Sequence, residues 1–457
     1  MKKITTLALG LLLPCLCMAQ TVSIVGSRFV KPETTEGNTP ITVHYEGSTA
    51  SKDWVGIYKT DQVNITETDG VESVVLVGND KTSYRWFYTN AVPSADVSSW
   101  TSNRVLGEGC YLVLFFPNND YNITSHEYLI VTPYTDFTMS TDKKVYAVGD
   151  PVVVTWSGAP ANAKDWIGIY HKGHTPGGKD QVSTSYLYVN DNGGATGSMT
   201  LNVLGTPNYN LHGNNPDEPG EYYVTYLLND GWTELFEHKF ARVPYTIATT
   251  YKETDTNNSF DTSLTTVGIR RTIKVGYNTV CLPFSLTAEQ VAAAFGTGTK
   301  VYAFSENSDD ANNATINFTE TNTISANVPV LVNATTASES QVFENVTIVD
   351  AADARVEGKN FDFVGTYAPM TVAEGDYFIG GGKLYKSKGN TNMNAFRAYI
   401  QTKTDAPVKM FIGDFETSIN ELNANPDLSE ATFNVAGQRI SKMQKGINIV
   451  NGKKVLK

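Results

Sequence analysis

Hydrophobic positions along this 457-residue chain fall into short runs rather than helical stripes. Ile41 to Tyr45, Tyr111 to Phe116, Val152 to Trp156 and Tyr222 to Leu228 are rich in β-branched and aromatic residues, and clusters of Gly, Pro, Asn and Asp separate them. Runs of that composition between turn formers predict strands. One stretch differs. Thr287 to Phe295 reads as a helix, with Thr287 placed to accept free first-turn amides and Gln290 three positions on, the spacing of a capping box. The pattern predicts an all-β protein with one short helix.

The strand pattern repeats. Lys52-Asp53-Trp54-Val55-Gly56-Ile57-Tyr58 returns as Lys164-Asp165-Trp166-Ile167-Gly168-Ile169-Tyr170, and Gly109-Cys110-Tyr111-Leu112-Val113 returns as Gly220-Glu221-Tyr222-Tyr223-Val224, about 110 residues later in each case. Period-two alternation puts Trp54, Gly56 and Tyr58 on one face and Val55 and Ile57 on the other. Both faces carry bulk suited to burial, so the strand should be central. The aspartate before it is expected to tie the preceding turn, and the glycine to admit a close neighbour. Asn118-Asn119-Asp120-Tyr121 matches Asn229-Asp230-Gly231-Trp232, a turn followed by an aromatic in both copies. Units of this length with short strands fit tandem immunoglobulin-like β-sandwiches without the cysteine pair of antibody domains, followed by a third β-rich domain with one short helix and a small C-terminal β-sheet module. Duplication favours binding or spacing over catalysis.

Lys-Asp-Trp-Ile-Gly-Ile-Tyr from Lys164, with Pro219-Gly220-Glu221-Tyr222-Tyr223-Val224-Thr225-Tyr226-Leu227-Leu228-Asn229-Asp230-Gly231-Trp232, resembles the immunoglobulin-like SKICH-type module. A similar signature occurs in the sandwich preceding the catalytic domain of purple acid phosphatases. The resemblance covers about residues 21 to 246 and implies a non-catalytic targeting or binding sandwich. The first copy departs from it at Cys110 and Pro117-Asn118. From about residue 247, Tyr277 to Phe284, Asn327 to Val332, Gly375 to Tyr385 and Ala395 to Tyr399 resemble a β-rich module near the C-terminus of bacterial surface proteins, adhesins and secreted hydrolases. Gly380-Gly381-Gly382 lies between strand-like runs and lacks the Gly-Lys-Ser/Thr ending of a phosphate loop, so it reads as a hairpin turn.

The end of the chain is electrically distinct. From Ala431 to Lys457 it carries Arg439, Lys442, Lys445, Lys453, Lys454 and Lys457 and no acidic residue. Phe433 to Arg439, Lys445 to Val450 and Asn451-Gly452 before Lys453 resemble the C-terminal sorting domain of type IX secretion substrates, over about residues 419 to 457. The resemblance implies secretion machinery as a partner. The alternative is a terminal sheet with a basic edge that discourages aggregation.

Lys2 and Lys3 before the apolar run Leu7 to Met18 read as an export signal, with cleavage expected before Gln20; the rival is a lipoprotein cut before Cys15, where Pro14 is unfavourable. The organisation read from the sequence is therefore a signal peptide at 1–19, sandwiches at 20–133 and 134–246, a β-rich module at 247–418 and a sorting or anchoring module at 419–457. Without Lys2 and Lys3 there are 33 basic against 47 acidic side chains, a net charge of −14. That argues against nucleic acid as a partner. Only Cys110 and Cys281 remain, each in an apolar run, and both read as buried thiols without a disulfide.

Candidate chemistry is sparse. His171 and His174, with Asp180 nearby, form the one cluster with metal-like spacing, and a solvated loop is the competing reading. No cofactor is expected. The chain has no Gly-x-Ser-x-Gly elbow and no His-Glu-x-x-His helix. Trp86-Phe87-Tyr88 and Tyr186-Leu187-Tyr188 are read as core, whereas Tyr121 and Trp232, at turns, are the candidate ligand-binding residues. The sequence reading is a secreted or outer-membrane surface-attached, non-enzymatic binding, adhesion or display protein, whose partner is a host or cell-surface protein or glycan. The alternatives are an accessory glycan-binding protein and a hydrolase whose carboxylates are separated in sequence.

Overall fold

The computed structural model describes residues 19–456 apart from 69–70, 179–182, 203–217, 308–313, 351–352, 404–407, 414, 418, 422–431, 435–438, 441–446 and 451–452. Residues 1–18 of the expected signal segment 1–19, Asp180 and the Asn451-Gly452 turn lie outside the described residues. The protein is all-β. It forms two compact units, Met1–Ile247 and Ala248–Lys457.

In the first unit the initial repeat contributes β1 (Thr21–Ile24), β2 (Phe29–Val30), β3 (Val43–Glu46), β4 (Trp54–Lys59), β5 (Val63–Thr68), β6 (Val71–Leu76), β7 (Arg85–Tyr88), β8 (Ser94–Val97), β9 (Thr101–Ser102), β10 (Gly109–Phe116) and β11 (Ser125–Val131). A three-stranded sheet, β1-β3-β8, faces a six-stranded one, β2-β11-β10-β4-β7-β9. Val43, Tyr45, Val55, Ile57, Val113, Phe115 and Leu129 meet between them as the sandwich core. β4 is interior to its sheet, paired with β10 and β7. Its other face is also buried, because the β5–β6 hairpin lays Val63, Val74 and Leu76 against Trp54, Tyr58, Leu112 and Leu114.

The next repeat contributes β12 (Thr138–Thr141), β13 (Val145–Ala147), β14 (Val152–Ser157), β15 (Trp166–His171), β16 (Ser185–Tyr188), β17 (Gly197–Leu201), β18 (Gly220–Leu227) and β19 (Arg242–Ala248). The sheets are β12-β14-β17 and β13-β19-β18-β15-β16. Val152, Val154, Trp156, Ile167, Ile169, Val224 and Tyr226 form the core between them.

The second unit carries α1 (Ala288–Phe295), the one α-helix among the described residues. Its start has the expected capping box: Thr287 Oγ1 accepts the Gln290 amide at 3.3 Å, and the Thr287 amide donates to Gln290 Oε1 at 2.9 Å. Gly381 and Gly382, at φ +58° and +76°, form the two-residue turn joining Tyr377–Gly380 to Lys383–Lys386. Two successive left-handed residues match a type I′ hairpin turn. Arg271 is fully buried, and its guanidinium donates to the carbonyls of Phe396 and Thr279. Cys110 and Cys281 are free and buried. Near the terminus, Arg439–Ile440, Thr432–Asn434, Ile447–Val450 and Lys453–Leu456 make a four-stranded sheet in that order.

Candidate functional site

Each repeat presents a tip built around the aspartate that precedes its central strand. Asp53 is buried; its Oδ2 accepts the amides of Thr49 and Ala50 at 2.8 and 2.9 Å and the Ser48 hydroxyl at 3.1 Å. Its Oδ1 accepts the Asn118 amide at 2.8 Å, 65 residues away. The sequence suggests only the local turn; in the fold the same carboxylate also locks the β10–β11 tip. Burial alone would raise its pKa, but the amides of Ala50, Asn118 and Thr49 and the Ser48 hydroxyl outweigh it, so the carboxyl titrates below its ordinary value. Asp165 repeats the arrangement, accepting the amides of Asn162 and Asn229 at 2.8 and 2.9 Å.

The aromatics follow from this frame. Trp54 folds back over Gly56, where a Cβ would lie 2.7 Å from the indole, so only glycine admits the ring. Trp54 stacks on Phe116 at 4.1 Å and receives Tyr121 edge-on at 5.8 Å, and its Nε1 donates to the Asp120 carbonyl at 3.2 Å. On the neighbouring strand, alternation sends Phe87 into the sandwich core and turns Trp86 and Tyr88 outward, half-buried. Phe87 is therefore core as expected, whereas Trp86 and Tyr88 are half-buried, packed against the outer cluster of Trp54, Tyr58 and Phe116 with part of each ring left open. The reason is that β7 lies near the sheet margin, where its outer face is left partly open.

These side chains wall a cleft of about 470 Å³ on the first repeat, with Trp54, Tyr58, Trp86, Tyr88 and Tyr121 as its aromatic side. Asn79, Lys81, Thr82, Ser83, Asn103 and Asn119 supply its polar side. The polar loop is held in place: Tyr58 donates to the Lys81 carbonyl at 3.0 Å, Gln62 to the Thr82 carbonyl at 3.0 Å and Asn103 to the Ser83 carbonyl at 3.2 Å. Lys81 Nζ stands 4.9 Å from the centre of the Tyr121 ring, and the Tyr88 hydroxyl donates to Asn119 Oδ1 at 2.7 Å. Tyr121 is 44% exposed. Sequence reasoning missed the polar wall, since the run Asn79-Asp80-Lys81-Thr82-Ser83 signals no more than a loop.

The second tip has the same skeleton and a different cover. Trp232 meets Trp166 edge-on at 5.5 Å, as Tyr121 meets Trp54, and Tyr188 donates to Asp230 at 2.7 Å, as Tyr88 does to Asn119. Trp232 is 48% exposed, but Gly177 lies against its face, where a Cβ would fall 2.6 Å from Cγ. The loop that brings Gly177 there starts at His171 and His174, whose rings lie 5.4 Å apart. Burial, then the neighbouring His174, lowers the pKa of His171, which favours its neutral imidazole. A cavity of about 660 Å³ lies beside β18, and three of its cations are paired: Lys172 with Glu221 at 2.8 Å, Arg242 with Glu234 at 2.8 Å and Lys239 with Glu67 at 3.7 Å. Its lining carries no side-chain amide, unlike that of the aromatic cleft.

No protein-family model matches the chain, and no curated protein matches it in sequence. Among solved structures, it is similar to the Escherichia coli adhesin FdeC at 9% identity, over 73% of this chain and 98% of that one, with a TM-score of 0.15. A Salmonella alpha-2-macroglobulin mutant is similar at 9% identity over 83% of this chain and 23% of its own, TM-score 0.19. An amphioxus IgVJ-C2 molecule is similar at 14% identity over 44% and 88%, TM-score 0.11. TM-scores this low carry no weight for function, which rests on the site itself.

Proposed function

We propose that this is a secreted or surface-displayed, non-enzymatic binding protein whose first sandwich takes a carbohydrate in the aromatic cleft. The observation that carries the reading is the pairing of half-buried Trp86 and Tyr88 and exposed Tyr121 with amide, hydroxyl and amine groups across about 470 Å³. Sugar rings stack their C–H faces on aromatic rings, and their hydroxyls need neutral donors and acceptors at the rim. Asn79, Asn103, Asn119, Thr82 and Ser83 are groups of that kind. The loop bonds described above hold the wall before any ligand arrives, which lowers the ordering cost of binding.

The C-terminal four-stranded sheet, with its basic strand Lys453–Leu456, is proposed as the part read by secretion machinery. The test of the central reading is a glycan array probed with the full chain, beside Trp86→Ala and Trp232→Ala. Retention of a glycan class should be lost on Trp86→Ala and kept on Trp232→Ala, whose ring face is already covered by Gly177. A folded chain that binds no glycan, or that loses binding only on Trp232→Ala, overturns it.

A further inference from the structure

The two repeats meet at a group of side chains that neither sandwich needs for its own core. Cys110 is the second residue of β10 in the first repeat, whereas Glu237 and His238 lie in the segment between β18 and β19 of the second. Cys110 Sγ, a carboxylate oxygen of Glu237 and a ring nitrogen of His238 all lie within 4.8 Å of one another. Cys110 is buried and the other two are exposed, so the group sits at the rim of the junction and is open to solvent on one side.

We propose that Cys110, Glu237 and His238 form a three-ligand site for zinc or a similar borderline divalent cation, with water in the fourth position, joining the two repeats. Thiolate, imidazole and carboxylate are the donors zinc takes. Bonds of about 2.0–2.3 Å in a tetrahedron set ligands roughly 3.3–3.8 Å apart. Reaching that spacing from within 4.8 Å requires rotation of the exposed Glu237 and His238 side chains, while Cys110 is held in its strand.

Three features support a built site. First, the segment is anchored around it: Phe236 and Ala241 are buried with Cys110 and Ile130 in one apolar cluster, and Phe236 packs on Phe29 at 4.9 Å. Second, groups behind the donors orient them. Thr60 Oγ1 lies 3.4 Å from Glu237 Oε2 and 3.2 Å from the Cys110 carbonyl. Tyr128 lies against the His238 ring at 5.1 Å and donates to Glu72 at 3.0 Å. Outer contacts of this kind fix ligand geometry. Third, His238 and Lys239 both hold left-handed backbone, φ +53° and +69°, an unfavourable choice for residues with side chains. The position that matches Cys110 in the other repeat is Glu221, exposed and paired with Lys172, so the thiol answers no requirement the sandwiches share.

The test uses the metal-stripped, reduced full chain titrated with Zn²⁺ by calorimetry and with Co²⁺ by absorption, where a thiolate ligand adds a near-ultraviolet charge-transfer band. One equivalent should bind with that band present. Cys110→Ser should remove the band, and His238→Ala, at an exposed position and with unchanged circular dichroism as its folding control, should weaken zinc binding by about 100-fold. His171→Ala should leave binding unchanged. A chain without the thiolate band, or His238→Ala with native zinc affinity, overturns the proposal.

Discussion

The two repeats share a frame and differ in what lies over it. In both, a buried aspartate ties two loops, a tryptophan folds over a glycine, and a turn aromatic meets that tryptophan edge-on. Beyond the central strand they diverge. The first repeat inserts the β5–β6 hairpin, which packs on Tyr58 and Leu112 and leaves the polar loop from Asn79 to Ser83 standing beside the aromatics as the far wall of an open cleft. The second sends a glycine-rich loop directly over Trp232 and fills the matching face with Tyr223 and the Arg242–Glu234 pair, the guanidinium 4.4 Å from the Tyr223 ring centre. The duplicated motif is therefore scaffold. Whether a tip is open is decided by the loop that follows the strand, which the duplication does not preserve.

The largest effects should come from the shared frame. Asp53→Ala and Asp165→Ala should each cost about 3 kcal/mol, because each removes the one buried carboxylate that accepts several hydrogen bonds from two loops. Urea midpoints of the two variants measure this, and nearly equal losses are expected. A much smaller loss at Asp53 would mean that the first tip is held by its insert instead. Acid should act on the same hub. Asp53 titrates below its ordinary value in the folded chain, so its stabilisation is complete above the unfolded carboxyl's pKa and is lost as pH falls through the lower, folded one. Asp53→Asn should flatten that acid limb.

The intermediate effect separates the tips. Gly177 has φ +77° and contacts the Trp232 face, so Gly177→Ala combines a left-handed alanine with a collision and should cost about 1–2 kcal/mol. The loop should lift, raising iodide quenching of Trp232 above its native level while the first cleft keeps its ligand. Quenching that stays at the native level would show that Trp232 is covered by something other than this loop.

Much of the frame was legible in the chain. The repeated Asp-Trp-x-Gly-Ile-Tyr predicts a central strand with two buried faces, and the packing agrees, down to an aromatic ring closing over the glycine. Thr287 and Gln290 announce the helix start for the local reason that the cap bonds span three residues. The cleft was not legible, because Tyr58, Lys81, Trp86 and Asn119 are brought together by strand pairing and a hairpin insert rather than by spacing. Alternation along Trp86-Phe87-Tyr88 says that the outer pair share a face but not that the face is open. Cys110 reads as a buried thiol from its apolar run, and that is its burial; its proximity to Glu237 and His238 depends on how one repeat packs on the next.

The smallest expected effect lies on the opposite sheets. His44 precedes the core residue Tyr45 on β3, as Thr155 precedes the core residue Trp156 on β14. His44 Nδ1 is 2.6 Å from Asp96 and its Nε2 is 3.2 Å from Glu46, whereas Thr155 faces the Ser140 hydroxyl at 3.0 Å. The Asp96 and Glu46 hydrogen bonds raise the pKa of His44 above 6.5. A raised histidine stabilises the fold fully below its unfolded pKa, and that contribution disappears as pH rises through the folded one. The first repeat should therefore lose a little stability across the neutral range while the second does not. Solvent screens these exposed partners, so the change is best read as the midpoint of the His44 proton shift in NMR. A midpoint at or below 6.5 would remove this difference between the repeats, and His44→Thr, which copies the second repeat, should abolish the pH dependence without unfolding the sheet.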